Sequence, residues 1–228
     1  MAMELPDNEA GASAMASSCD EALRVPCYCE ENVWRLAYRK LHFQLESGMK
    51  GVQYYVVFVS SEEKLIPMLY QKARKSISSS SNEPVFWDYH VILLETKEND
   101  AFVFDMDTMV TPFPAPLNLY LDYSFSPDEY TDAVDPRFRV IDAFIFLKYF
   151  NSNREHMRIN GEWTAVPPTY KCIQLDAVKS TSNLDSYRIM TASERFRGQR
   201  VTDKFGKVMT MDELRAFVSN GSAASITH

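Results

Sequence analysis

No stretch of this chain approaches the run of about eighteen uncharged apolar residues that a membrane-spanning helix requires. Residues 1–22, MAMELPDNEAGASAMASSCDEA, lack both the basic stretch and the apolar stretch of a secretory signal. Cysteine is scarce. Cys19, Cys27, Cys29 and Cys172 are too few and too irregular to cross-link 228 residues, which excludes a disulfide framework and fits free thiols in a reducing compartment. Positive charge is in deficit: 24 lysines and arginines face 31 acidic residues, giving a net charge of −7. No basic cluster departs from that balance, so the field repels phosphate backbones and speaks against a nucleic-acid partner. These absences leave no membrane or nucleic-acid partner and point to a soluble cytoplasmic protein, with the nucleus as a second location open to it.

What the chain does have is core: 46% apolar residues, with aromatics at 13% of the total, suffice for a sizeable interior. No repeat and no long linker divides it, so the expectation is a flexible tail over 1–22, small, polar and acidic, then one catalytic domain over 23–228, with order beginning near Arg24. From Glu30 to about Leu45 the apolar residues Val33, Trp34, Ala37 and Leu41 recur at helical spacing, with two acids in the first turn where they complement the dipole. VQYYVVFVS (52–60) and LIPMLY (65–70) predict a hairpin across SEEK, and KSISSSSNE (75–83) a solvated loop. VFWDYHVILLE (85–95) and AFVFDMDT (101–108), apolar on both faces, read as central strands of a covered sheet. A proline-rich crossing with a short helix follows, then a strand over 137–143, a helix over 144–150 and turns at Asn160-Gly161 and Pro167-Pro168. Thr210 and Glu213 fit a capping box before a last helix.

The chemistry-bearing residues begin at VPCYCEENVWRL (25–36). A thiol at Cys29 would sit at a helix start, where unpaired N–H groups and the dipole favour a thiolate, although Glu30 and Glu31 oppose it. A buried structural thiol is the commoner role for such a cysteine. A metal half-site is the weaker reading, because C-x-C finds no second such pair and no histidine pair to complete it. Of the four histidines, only His90 lies mid-strand. Centring the hairpin turn between Lys97 and Glu98, with residues 96–99 as a four-residue loop, places His90 opposite Asp105 on one face. An acid within an apolar strand is costly unless paired, so Asp105 is read as the group that orients the imidazole. A one-residue slip would separate the two. Cys29, His90 and Asp105 then form the nucleophile, base and orienter of a cysteine hydrolase.

The words that carry these residues are distinctive. CYCEENVW (27–34), VFWDYHVILL (85–94), FVFDMDTMVTPFP (102–114), NREHM (153–157) and GEWTAVPPTYKCI (161–173) resemble the protein N-terminal glutamine amidohydrolase family, in order from about residue 26 to 173. Two consecutive prolines stand where members often have three, and the serine-rich loop is where a shorter turn is expected.

The resemblance implies that Cys29, His90 and Asp105 hydrolyse the side-chain amide of an N-terminal glutamine through a thioester, giving glutamate and ammonia. It implies an α+β fold of α/β/α-like sandwich type, with a mostly antiparallel sheet, flanking helices and papain/transglutaminase-like architecture. It further implies no cofactor, no metal, a monomer, and proteins or peptides with a free N-terminal glutamine as substrates, upstream of an N-degron pathway. Selecting a free α-amine requires acceptors near the thiol; Glu30, Asp88 and Asp107 are the acidic neighbours available, each with a structural role equally open. Cys27, Trp34 and Trp87 are expected to pack. The competing functions are a cysteine peptidase or transglutaminase-like acyltransferase, and a non-catalytic module that binds protein N-termini.

Overall fold

Along VQYYVVFVS, alternate side chains from Tyr54 to Val59 enter two different cores, and this accounts for the unbroken run of aromatic and aliphatic residues there. In the computed structural model, which describes residues 20–73, 83–126, 134–174, 182–191 and 204–219, β1 (Val52–Ser60) lies inside a six-stranded sheet. Tyr54, Val56 and Phe58 face one core, and Tyr55, Val57 and Val59 the other. Helices cover both faces. On the first lie α1 (Cys29–Ser47), α3 (Ala143–Tyr149) and α4 (Leu184–Arg188); on the second lie α2 (Leu117–Ser124) and α5 (Met211–Ser219).

The remaining strands are β2 (Ile66–Met68), β3 (Val85–Trp87), β4 (His90–Lys97), β5 (Asp100–Phe104), β6 (Ala115–Pro116), β7 (Arg137–Asp142), β8 (Arg158–Ile159), β9 (Glu162–Trp163) and β10 (Lys207–Met209). The main sheet runs β10-β7-β1-β4-β5-β6, with every pairing antiparallel. The architecture is α+β with an open antiparallel sheet and flanking helices, as the sequence predicts. Among the described residues no helix is long and apolar enough to cross a membrane.

Four expectations need correction. β1 makes no hairpin with β2: both of its edges are taken, by β4 and β7, and β2 pairs with β3 in a separate ribbon. Pro67, without an N–H, suits that short edge pairing. The run 85–95 is two strands, because Asp88 accepts the N–H of Tyr89 on its own side chain and its carbonyl is held by Ser60, which breaks the ladder. The β4–β5 turn is two residues, Glu98 and Asn99, with Lys97 opposite Asp100 and Leu93 opposite Phe104. Order also reaches further toward the N-terminus than Arg24: Asp20 is buried against Arg39 and Lys40, and Leu23 joins the core. The first nineteen residues of the expected tail and most of the serine-rich loop lie outside the described residues.

Helix α1 begins one residue before Glu30 and ends at Gly48, whose φ of 67° is the left-handed cap a glycine adopts freely. The Thr210–Glu213 capping box closes in both directions, at 2.9 and 3.1 Å. Asp142 caps α3 through Ile145.

One fully buried cation anchors the C-terminal segments. Arg139 on β7 donates to the carbonyls of Tyr187, Ile189 and Phe205, fixing α4 and the approach to β10. Replacing it with Met strands buried carbonyls, so Arg139→Met should lower the unfolding free energy by about 3 kcal/mol. Urea denaturation followed by circular dichroism checks this; a change within 0.5 kcal/mol or so would show that the carbonyls are satisfied otherwise.

Candidate active site

The site forms where β4 starts and β5 has already ended. Cys29 is the first residue of α1, and the chain before it is held in place by Asn32, whose side-chain amide brackets the backbone of Val25 at 2.9 and 2.8 Å. Cys27 takes a left-handed φ of 68° in this approach and is exposed, which corrects the expectation that it packs. The backbone N–H of Val91, the residue after His90, lies close enough to the Cys29 sulfur to act against the rise in its pKa. The thiol and the imidazole thus meet the same end of β4.

His90 and Asp105 do come together, by a different register from the expected one. Direct opposition would need His90 level with Asp105; in the observed pairing Asp105 is two residues out of step, beyond the last rung at Phe104. An offset of two preserves the face of a strand, and the diagonal neighbour remains in reach. His90 Nε2 lies 2.8 Å from Asp105 Oδ1, with the residues 1% and 0% exposed. The indole of Trp87 stacks on the imidazole at 5.2 Å, which gives that side chain a place at the site as well as in packing.

Asp105 is satisfied on every side. Oδ1 also accepts the N–H of Asp107 at 2.9 Å, while Oδ2 accepts from Tyr120 at 2.9 Å and Gln71 at 3.1 Å. Burial alone would raise its pKa, but His90 and these donors hold it below the ordinary value. Burial likewise works against a charged His90, and Asp105 and then Asp107 overcome it, leaving His90 above its ordinary value. Tyr120 is pushed well up by burial and Asp105, so it stays a donor. Ring atom Nδ1 of His90 is buried and finds no hydrogen-bond partner among the described residues.

The thiol itself is pushed well above its ordinary pKa, by burial first and then by Glu30 and Asp107. The dipole advantage expected at a helix start is therefore outweighed, and Cys29 rests as S–H, directed at Glu30 Oε2, 3.7 Å away. His90, Asp105 and Asp107 offer ligand atoms within 4.8 Å of one another. They do not fit a metal, since both oxygens of Asp105 are occupied and Asp107 Oδ1 is held by Nε of Arg24 at 2.9 Å and by its Nη2.

The three acidic neighbours part company. Asp107 is buried against Arg24; Asp88 faces solvent and pairs with Arg188 at 2.6 Å. Glu30 is fully buried beside the thiol, with Tyr89 donating to its Oε2 at 3.1 Å and His156 Nε2 lying 3.5 Å from its Oε1. Sequence reasoning did not single out Tyr89, His156, Gln71 or Tyr120 for the site. It also missed the buried bidentate pair of Arg154 with Glu31, 2.7 Å in each arm, which fastens the 154–170 loop to α1. The NREHM word contained both Arg154 and His156, and was the one available signal.

An α+β scaffold that buries a helix-start thiol beside a histidine–aspartate pair has the class features of a cysteine-dependent hydrolase. The chain belongs to the N-terminal glutamine amidase family, whose model matches residues 24–218. Its relatives include proteins named Protein N-terminal glutamine amidohydrolase. The one from Danio rerio is 39% identical over 193 residues, covering 80% of this chain and 89% of that protein. The Bos taurus protein is 42% identical over 164 residues (69% and 73%), and the Homo sapiens protein 39% over 171 residues (72% and 77%).

Removing the Asp105 charge leaves only Asp107 to oppose the effect of burial on His90. In Asp105→Asn the His90 pKa should fall below the ordinary value of about 6.5, read from long-range ¹H–¹⁵N spectra of the histidine rings; an unchanged titration would place the main cause elsewhere. Stability should follow the same signs. The raised His90 contributes stability below the unfolded value of about 6.5 that is lost as pH rises through the folded value. The lowered Asp105 contributes stability above about pH 3.9 that is lost as pH falls through its folded value. The advantage of wild type over the variant should therefore be greatest between these limits.

Proposed function

We propose that this chain hydrolyses the side-chain amide of an N-terminal glutamine in proteins or peptides, through Cys29, His90 and Asp105. The observation that carries the reading is the state of His90: Nε2 is committed to a buried carboxylate and Nδ1 is left without a partner among the described residues, on the strand whose next residue, Val91, acts on the Cys29 thiol. Family membership supports the choice of substrate.

Because Cys29 rests protonated, attack and deprotonation go together. His90 Nδ1 takes the S–H proton as Sγ bonds to the side-chain carbonyl carbon of glutamine. Asp105 holds the ring and stabilises the imidazolium, as in other triads. The tetrahedral intermediate collapses when His90 passes that proton to the amide nitrogen; the C–N bond breaks and ammonia leaves. A water then gives a proton to His90 and its oxygen to the thioester carbon, and the C–S bond breaks as Cys29 recovers its proton. The product is an N-terminal glutamate.

On this reading the layout is that of the papain and transglutaminase type, and the enzyme acts as a monomer without cofactor in the cytoplasm or nucleus. Its product carries the acidic N-terminus that an arginyltransferase extends, which places the reaction upstream in an N-degron pathway.

A peptide beginning with glutamine should release ammonia and gain one mass unit or so, whereas its N-acetylated copy and an asparagine counterpart remain intact. Cys29→Ala should lose on the order of 10⁴-fold or more of kcat. Internal cleavage of the peptides would establish a peptidase instead, and consumption of an added amine a transferase. Retention of the glutamine peptide with no turnover by the wild type would leave a binding module.

A further inference from the structure

Four acidic side chains are buried around the thiol: Glu30, Glu31, Asp105 and Asp107. Glu31 is closed by Arg154, Asp107 by Arg24, and Asp105 by His90 with three further donors. Glu30 has no such closure. It is 0% exposed, yet its Oε1 has no hydrogen-bond donor among the described residues. The nearest cationic candidate, His156 Nε2, stands at 3.5 Å and also lies 3.4 Å from the Tyr89 hydroxyl, too long to settle the oxygen. His156 Nδ1 is itself without a partner among the described residues. A buried carboxylate left this way is costly, and the cost falls if a cation arrives from outside. The His156 side chain is 16% exposed, so the cluster opens toward solvent on that side.

We propose that Glu30, framed by Tyr89 and His156, receives the α-ammonium group of the N-terminal glutamine. This rests on the amidohydrolase reading above and names the groups that make a free N-terminus a requirement. The reach fits. In glutamine, four bonds separate the α-nitrogen from the side-chain carbonyl carbon, an extended span of about 5 Å. Placing that carbon at a near-attack distance of about 3–3.5 Å from Sγ allows the ammonium to contact a carboxylate whose Oε2 is 3.7 Å from the same sulfur. Tyr89, its pKa pushed well up by burial and then by Glu30, keeps its proton and holds Oε2, leaving Oε1 for the ligand. Asp88 and Asp107 are thereby set aside, one held by Arg188 at the surface and the other by Arg24.

Binding tests the seat apart from turnover. In the Cys29→Ala background, isothermal titration calorimetry compares a glutamine-initiated peptide with its des-amino analogue, in which hydrogen replaces the α-ammonium. The free-amine peptide should bind roughly 100-fold tighter, a preference that Glu30→Gln abolishes while leaving the analogue's affinity within a few-fold. His156→Lys, a change in a partly exposed loop, guards against misfolding of the Glu30 variant. A lysine ammonium would occupy the carboxylate, so the melting temperature should hold or rise while the free-amine peptide loses on the order of 10-fold or more in affinity. Equal binding of the two peptides, no measurable binding of either, or an equal loss for both in Glu30→Gln would overturn the proposal; the last would make Glu30 a partner of the thiol. An unchanged affinity in His156→Lys would overturn it too. Ammonia release by the wild type is a separate readout, and its failure alone would sink the amidohydrolase reading without touching the binding result.

Discussion

The site depends on one buried carboxylate having all of its donors. Asp105 draws on β4 through His90, on α2 through Tyr120, on the segment after β2 through Gln71, and on its own turn through Asp107. A fully desolvated charge is tolerable only if such donors are fixed before substrate arrives. Four separate parts of the chain are therefore committed to one place, and the imidazole inherits its orientation from that commitment. The free Nδ1 and the raised His90 pKa are consequences of the same arrangement.

Two opposing electrostatic demands meet at Cys29. The helix start and the Val91 N–H favour a thiolate, while burial, Glu30 and Asp107 raise the thiol well above its ordinary value. The second set wins, so on the proposed mechanism the nucleophile would be generated only as its proton moves. That balance would give the histidine its part, because a protonated thiol needs a base at the moment of attack. It also gives Glu30 a meaning beyond repulsion: a bound ammonium would offset part of the charge that holds the thiol protonated.

Patterns of alternation and helical spacing made most of the fold legible. The central strands are apolar on both faces because two cores need them, and α1, α3 and the Thr210 cap follow local rules. What local rules could not supply was partnership. β1 and β2 look like a hairpin until β4 and β7 compete for the edges of β1, and the break at Asp88 depends on a side chain capturing its neighbour's N–H. Asp105 was reached through a register two residues out, and the inference survived because an even offset keeps the face. His156 and Arg154 come from a loop with no periodicity, and only tertiary packing brings them to α1.

The segment over 154–170, with little regular structure beyond the short β8–β9 ribbon, still contributes precise geometry. Arg154 forks onto Glu31, donates to the Pro168 carbonyl, and lies 5.1 Å from the Tyr170 ring, while Tyr28, next to the thiol, donates to the Ala165 carbonyl. Two adjacent helix-start acids thus have different work. Glu31 spends its charge internally, fastening the loop and setting His156 in position; Glu30, one residue earlier and facing that histidine, keeps an oxygen unclaimed. Consecutive glutamates at a helix N-terminus would otherwise read as simple dipole complements. Here the first turn of α1 carries the proposed nucleophile, a carboxylate with one oxygen unclaimed and a structural anchor in three successive residues, and their spacing follows from the pitch of that turn.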